Sequence, residues 1–120
     1  MTDKNILVIE DDQEIRSVLQ FALELEGYKV ATAIHGQDAL NQLRQTDSLP
    51  HLILLDLMMP VMDGWQFLAI KKQEPRLANL PVLVVSAAGD RAKNFEASGY
   101  IKKPIELDFL LESIKQHCVN

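Results

Sequence analysis

The amino-acid sequence predicts an α/β fold: a doubly wound, five-stranded parallel sheet with helices on both faces. Two observations predict it. Five short apolar runs alternate with stretches of helical periodicity, and the connections between them are short. The central run, Leu52-Ile53-Leu54-Leu55, is apolar throughout and enters a single carboxylate, Asp56. Such a run, closed by the turn signals Pro60 and Asp63-Gly64, reads as a strand buried on both faces. Five strand–helix units are too few for an eight-stranded barrel.

In order, residues 6–9 form the first strand, ending in Glu10-Asp11-Asp12. Residues 13–26 form a helix, with Ile15, Val18, Leu19, Ala22 and Leu23 on one face, Asp12 as N-cap and Gly27 closing it. Residues 28–33 are more polar, as an edge strand should be. Residues 36–44 form the second helix, with Ala39, Leu40 and Leu43 inward. After the Asp56 strand, residues 64–73 form the third helix, holding Trp65, Phe67, Leu68 and Ile70. Residues 82–85 form a fourth strand that ends in Ser86. Residues 91–97 allow about two helical turns. Residues 99–102 form the fifth strand, ending in Lys103-Pro104, and residues 105–117 the last helix, with Leu107, Leu110, Leu111 and Ile114 inward.

The chain is expected to be one domain over residues 1–120. A net charge of −5 argues against direct nucleic-acid binding. One cysteine, Cys118, excludes an internal disulfide and fits a reducing compartment. The polar N-terminus lacks a signal-peptide core, and no apolar run approaches the roughly 20 residues of a membrane span. A soluble, cytoplasmic protein is the expectation. Met1 is read as a natural start; nothing in the sequence settles the C-terminus, so both a stand-alone protein and a fragment stay open.

Parallel strands share a direction, so their C-terminal ends lie on one edge. That edge carries Glu10 and Asp11, Asp56, Ser86 and Lys103. In the order 2-1-3-4-5, as in flavodoxin, strands one and three are neighbours at the switch point where ligands bind. Three converging carboxylates repel one another unless a cation lies among them. A hard divalent ion, Mg²⁺ with Mn²⁺ as an alternative, suits oxygen donors. Asp56 is then placed as a nucleophile for phosphoryl transfer, with Ser86 and Lys103 on the phosphoryl oxygens. Read alone, each piece is bland: Glu10-Asp11-Asp12 a solvated turn, Ser86 a turn residue, Lys103 a surface lysine beside its decoy Lys102. Asp63-Gly64 reads as a helix start, and His35, His51 and His117 as surface residues without metal spacing.

Taken together, Ile9-Glu10-Asp11-Asp12, Leu54-Leu55-Asp56-Leu57-Met58-Met59-Pro60 with Met62-Asp63-Gly64, Val85-Ser86-Ala87 and Tyr100-Ile101-Lys102-Lys103-Pro104 resemble the receiver domain of two-component response regulators, in its stand-alone, chemotaxis-regulator-like form. The resemblance covers nearly the whole chain. It implies that Asp56 accepts a phosphoryl group from a histidine kinase, a phosphotransfer protein or a small acyl phosphate. It implies Mg²⁺ ligation by Asp11, by Glu10 (often through water), by Asp56 and by the Met58 carbonyl. Lys103 matches the family lysine, and Pro104 follows through what is often a cis bond. Ser86 and Tyr100 match the switch pair, which alters the surface of the fourth helix, fifth strand and last helix to control a protein partner. The implied protein is a phosphoacceptor that catalyses its own phosphorylation and dephosphorylation and is otherwise no enzyme. It is expected to be a monomer or weak dimer.

One departure stands out. Thirteen residues separate Ser86 from Tyr100, fewer than the family pattern, and Gly89 starts a helix poorly. A short or irregular fourth helix is expected, which bears on the family's output face and dimer. Three rivals are weaker. An Mg²⁺-dependent aspartyl-phosphate phosphatase or phosphotransferase wants a second aspartate where Met58 stands. A flavodoxin-like cofactor binder wants a phosphate loop where the three acids stand. A degenerate receiver, acting only by protein contact, leaves the intact site unexplained.

Overall fold

The computed structural model describes residues 4–57, 59, 61–86 and 99–117, with Ser86 described by its backbone. Five strands and four helices lie within them: β1 (Asn5–Ile9), α1 (Gln13–Leu25), β2 (Lys29–Ala33), α2 (Gly36–Gln45), β3 (Leu52–Asp56), α3 (Gly64–Gln73), β4 (Val82–Ser86), β5 (Gly99–Lys102) and α4 (Leu107–His117). The expected helix over residues 91–97 falls outside the described residues, as do Met58, Pro60 and Cys118.

The sheet order is β2-β1-β3-β4-β5 and every pairing is parallel. The alternation of side chains along each strand sorts the core into two layers. Leu7, Ile9, Ile53, Leu55, Val82 and Val84 face α2 and α3, where Leu40, Leu43 and Phe67 meet them. Ile6, Val8, Leu52, Leu54, Leu83, Val85 and Ile101 face the other way, onto Leu19 and Leu23 of α1 and Leu110 and Ile114 of α4. The predicted apolar run of β3 is buried from end to end because both layers cover it. Each such leucine or isoleucine contributes about 2 kcal/mol by leaving water. β2 alternates between exposed and covered residues, as an edge strand does.

Local chemistry fixes the helix ends. The Asp12 carboxylate accepts the Ile15 N–H at 3.0 Å and caps α1. At its other end Gly27 takes φ 93°, with Gly27 N–H donating to Glu24 O and Tyr28 N–H to Leu23 O, a Schellman closure. Asp63 and Gln66 form a capping box at α3.

Two inward expectations are corrected. Val18 is 55% exposed and Leu107 38% exposed. The sheet covers only the Leu19–Leu23 line of α1, and the last helix starts at Leu107, two residues later than expected. Val18 and Leu107 instead line an apolar groove with Ile15, Pro104 and Ile105, between α1 and the β5–α4 connection. Lys103 stands at its edge. Phe21 and Leu25 continue the exposed apolar surface along α1.

Candidate cation and phosphoryl site

The register determines what meets at the carboxyl edge. Ile9 of β1 lies beside Leu55 of β3. The next residues, Glu10 and Asp56, are therefore adjacent, and Asp11 follows Glu10. Carboxylate oxygens of Glu10, Asp11 and Asp56 lie within 4.8 Å of one another. Glu10 and Asp56 are buried, whereas Asp11 is exposed.

Lys103 brings the counter-charge. Its Nζ lies 3.5 Å from Glu10 Oε1 and 3.5 Å from Asp56 Oδ2, so one ammonium bridges two buried carboxylates. Its neighbour Lys102 is exposed. The Lys103–Pro104 bond is cis. Glu10 Oε2 also accepts the Asp12 backbone N–H at 3.2 Å. Burial pushes the Glu10 carboxyl up to about 7, helped by the Asp56 charge and only partly opposed by the Asp12 N–H and by Lys103.

The loop after Asp56 is pressed close by two glycines. Gly64 N–H donates to Leu57 O at 2.9 Å, and a Cβ at position 64 would stand 2.6 Å from Leu57 Cα and 2.9 Å from Asp56 O. Only glycine lets α3 begin against the Asp56 peptide. Gly36 N–H holds Met62 O at 3.1 Å, tying the same loop to α2. Val61 adopts φ 66°, an unfavourable conformation for a β-branched residue.

The Met58 carbonyl lies outside the described residues. Ser86 ends β4, one residue on from Val85, which pairs with Asp56 on its other side. Tyr100 pairs with Val84, and its ring packs against the α2–α3 layer of the core. Its hydroxyl is buried and meets no hydrogen-bond partner among the described residues. Burying an unsatisfied hydroxyl costs about 1 kcal/mol. Tyr100→Phe is therefore expected to raise stability by about 1 kcal/mol, read as an upward shift of the thermal midpoint; an unchanged or lower midpoint contradicts an inward hydroxyl that the described residues leave without a partner.

Three features escaped the sequence reading. Arg16 donates from Nη1 to Glu10 O at 2.9 Å and to Asp11 O at 3.3 Å. Its signal was an arginine one turn into the helix that follows the acids. Lys71 is buried, donates to Ala78 O at 3.0 Å, and is held below the usual lysine range by burial. His35, expected at the surface, is half-buried and caps α2 by accepting the Asp38 N–H on Nδ1.

The donor set at the site is all oxygen, which fits a hard divalent cation and not a soft one. A family model described as the response regulator receiver domain matches residues 6–115. The chain belongs to that family. The receiver is 38% identical over 117 residues to the phosphate regulon transcriptional regulatory protein PhoB of Klebsiella pneumoniae, covering 93% of this chain but 50% of PhoB. It is 35% identical over 117 residues to Protein PilG of Pseudomonas aeruginosa, covering 93% of this chain and 85% of PilG. The chain thus spans about half the length of its PhoB relatives and most of PilG. Among solved structures, a putative response regulator of Chloroflexus aurantiacus superposes with TM-score 0.89 at 27% identity, over 99% of this chain and 100% of that one. TrrA of Thermotoga maritima, solved in complex with Mg²⁺-BeF, gives TM-score 0.82 at 26% identity, over 95% and 98%. The receiver has the five-stranded fold and strand order expected of the family. Among the described residues no helix is long and apolar enough to cross a membrane.

Proposed function

We propose that this receiver is a phospho-accepting signalling switch, with Asp56 as the acceptor. One observation carries the reading: Glu10, Asp11 and Asp56 converge within 4.8 Å while the Lys103 ammonium lies 3.5 Å from two of them. An Asp56 oxygen attacks the phosphorus of a phosphohistidine on a kinase or phosphotransfer protein, or of a small acyl phosphate. The new P–O bond forms as the P–N or acyl P–O bond breaks. The leaving imidazole, protonated on its other nitrogen, or the leaving carboxylate keeps the bonding pair. Lys103 and the Ser86 hydroxyl hold phosphoryl oxygens as charge spreads over them.

Asp11, Asp56 and the Met58 carbonyl, with Glu10 directly or through water, would hold Mg²⁺, or Mn²⁺ in its place. When bound, the ion neutralises charge on the transferring group. TrrA, solved with Mg²⁺-BeF, supports reading Mg²⁺ as the cation here.

The donor protein must cover the mouth of the site. The exposed apolar groove beside Lys103, with Val18, Pro104 and Leu107, and the Phe21–Leu25 surface next to it, supply an area for it to bury. Ser86 and Tyr100 form the switch pair, and the changed surface, involving β5 and α4, controls a downstream protein. A phosphorylation-driven shift is limited by the phosphoryl group's differential contacts in the two states. Residues 1–120 are read as one receiver domain acting in the cytoplasm as a monomer or weak dimer.

The test is incubation with acetyl phosphate and Mg²⁺, followed by intact mass. Gain of one phosphoryl group, abolished by a chelator, is expected. No adduct from any donor, with Mg²⁺ shown to bind, would leave a protein that acts by contact alone.

A further inference from the structure

The acidic loop has a feature that its three carboxylates do not explain. β1 ends at Ile9, and Glu10 N–H still reaches Ala33 O of β2 at 3.0 Å. The carbonyls of Glu10 and Asp11 then turn to a side chain. Arg16, one turn into α1, donates Nη1 to both, at 2.9 Å and 3.3 Å. The backbone N–H of Arg16 donates to Asp12 O at 2.9 Å, so the same residue is anchored to the loop at both ends. Asp12 caps the helix with its carboxylate and gives its own N–H to Glu10 Oε2. The three residues between strand and helix are thus held at successive backbone groups.

That restraint acts against a force. Three carboxylates within 4.8 Å repel, and a loop free to turn would carry the exposed Asp11 away from Glu10 and Asp56. We propose that Arg16 is a positioning residue for the cation site: its guanidinium clamps the Glu10 and Asp11 carbonyls and holds both acids in the arrangement a divalent cation takes. The inference rests on reading the acidic cluster as that cation's site. The role belongs to one guanidinium nitrogen, Nη1, which the rigid planar head holds in reach of both carbonyls, whereas a lysine ammonium is a point charge on a flexible stem. Groups that orient metal ligands from behind are worth 10- to 100-fold in metal affinity.

The sign of the effect separates this role from a bystander's. A positive charge near a cation site repels the cation, so removing a mere bystander tightens Mg²⁺ binding. Removing a clamp weakens it.

Calorimetric Mg²⁺ titrations on the folded full chain, confirmed by circular dichroism, decide it. Arg16→Ala is expected to weaken Mg²⁺ binding about tenfold. Arg16→Lys, which keeps the charge and one donor, is expected to recover part of that loss. Arg44→Ala, which breaks the exposed Arg44–Glu74 pair elsewhere on the surface, is expected to bind as the wild type does. Equal or tighter binding by Arg16→Ala, or equal weakening in Arg44→Ala, overturns the inference alone. A wild type with no saturable Mg²⁺ response overturns the reading of the site and the inference with it.

Discussion

An Asp56→Asn protein is expected to take up no phosphoryl group from acetyl phosphate, and in chelator at pH 8 to be more stable than the wild type. The two results come from one carboxylate. Asparagine keeps the shape of the buried side chain, so the packing of β3 is retained, but its amide oxygen is a poor nucleophile and carries no charge to hold a cation. The stability gain follows from magnitudes. At an effective dielectric constant of roughly 20, two carboxylates at the 4.8 Å limit of this cluster repel by about 3.5 kcal/mol. Asp56 meets two of them. Its attraction to Lys103 at 3.5 Å is about 5 kcal/mol on the same scale. The repulsions exceed the attraction by about 2 kcal/mol, and solvent screening at exposed Asp11 trims the net to about 1 kcal/mol. That corresponds to a thermal midpoint about 4 °C higher. Intact mass and melting curves in chelator check the pair of results. A phosphoryl adduct on the asparagine variant would move the acceptor elsewhere, and a lower midpoint would mean that Lys103 wins the balance.

The sequence made this site legible because each of its residues stands at the end of a strand whose type could be read. Leu52 to Leu55 is apolar on both faces, so its strand had to be central, and a carboxylate at its end had to face the crevice. Glu10 and Asp11 needed one further fact, that β1 lies beside β3, and the strand order supplied it. What stayed hidden lacks a pattern. Arg16 acts on backbone carbonyls, and no periodicity marks a side chain that bonds to a loop. Lys71 is buried because one carbonyl, Ala78 O, lies within its reach, which no composition rule announces. Val18 fits the helical stripe of α1 but lies beyond the sheet's cover, since a helix packed on a twisted sheet loses contact at its margin. Leu107 fails for a local reason: Pro104 delays the helix start, so the first turn points into the groove.

The Glu10 carboxyl is expected to make cation binding depend on pH within the physiological range. Its proton is held up to about pH 7, first by burial, then by the Asp56 charge, and less by a hydrogen bond to the Asp56 carboxyl. A divalent ion at the site would require Glu10 as carboxylate, whether directly or through water, and so would compete with that proton. With the proton leaving near pH 7, the apparent Mg²⁺ dissociation constant is expected to be about tenfold larger at pH 6 than at pH 8, and nearly flat above pH 8. Titrations of the wild type at both values measure it. Glu10→Gln removes the ionisation and is expected to bind more weakly but with a much flatter pH profile, and an unchanged slope in that variant would assign the proton to another group. The cation-free protein responds with the opposite sign. The folded carboxyl binds its proton more tightly than the unfolded one, so its stabilising contribution is complete below about pH 4.5 and is lost as pH rises through about 7. Raising the pH therefore weakens the empty site while strengthening its hold on a cation. Melting curves in chelator and in saturating Mg²⁺ should accordingly diverge from pH 6 to pH 8, with the gap between them widening as Glu10 ionises.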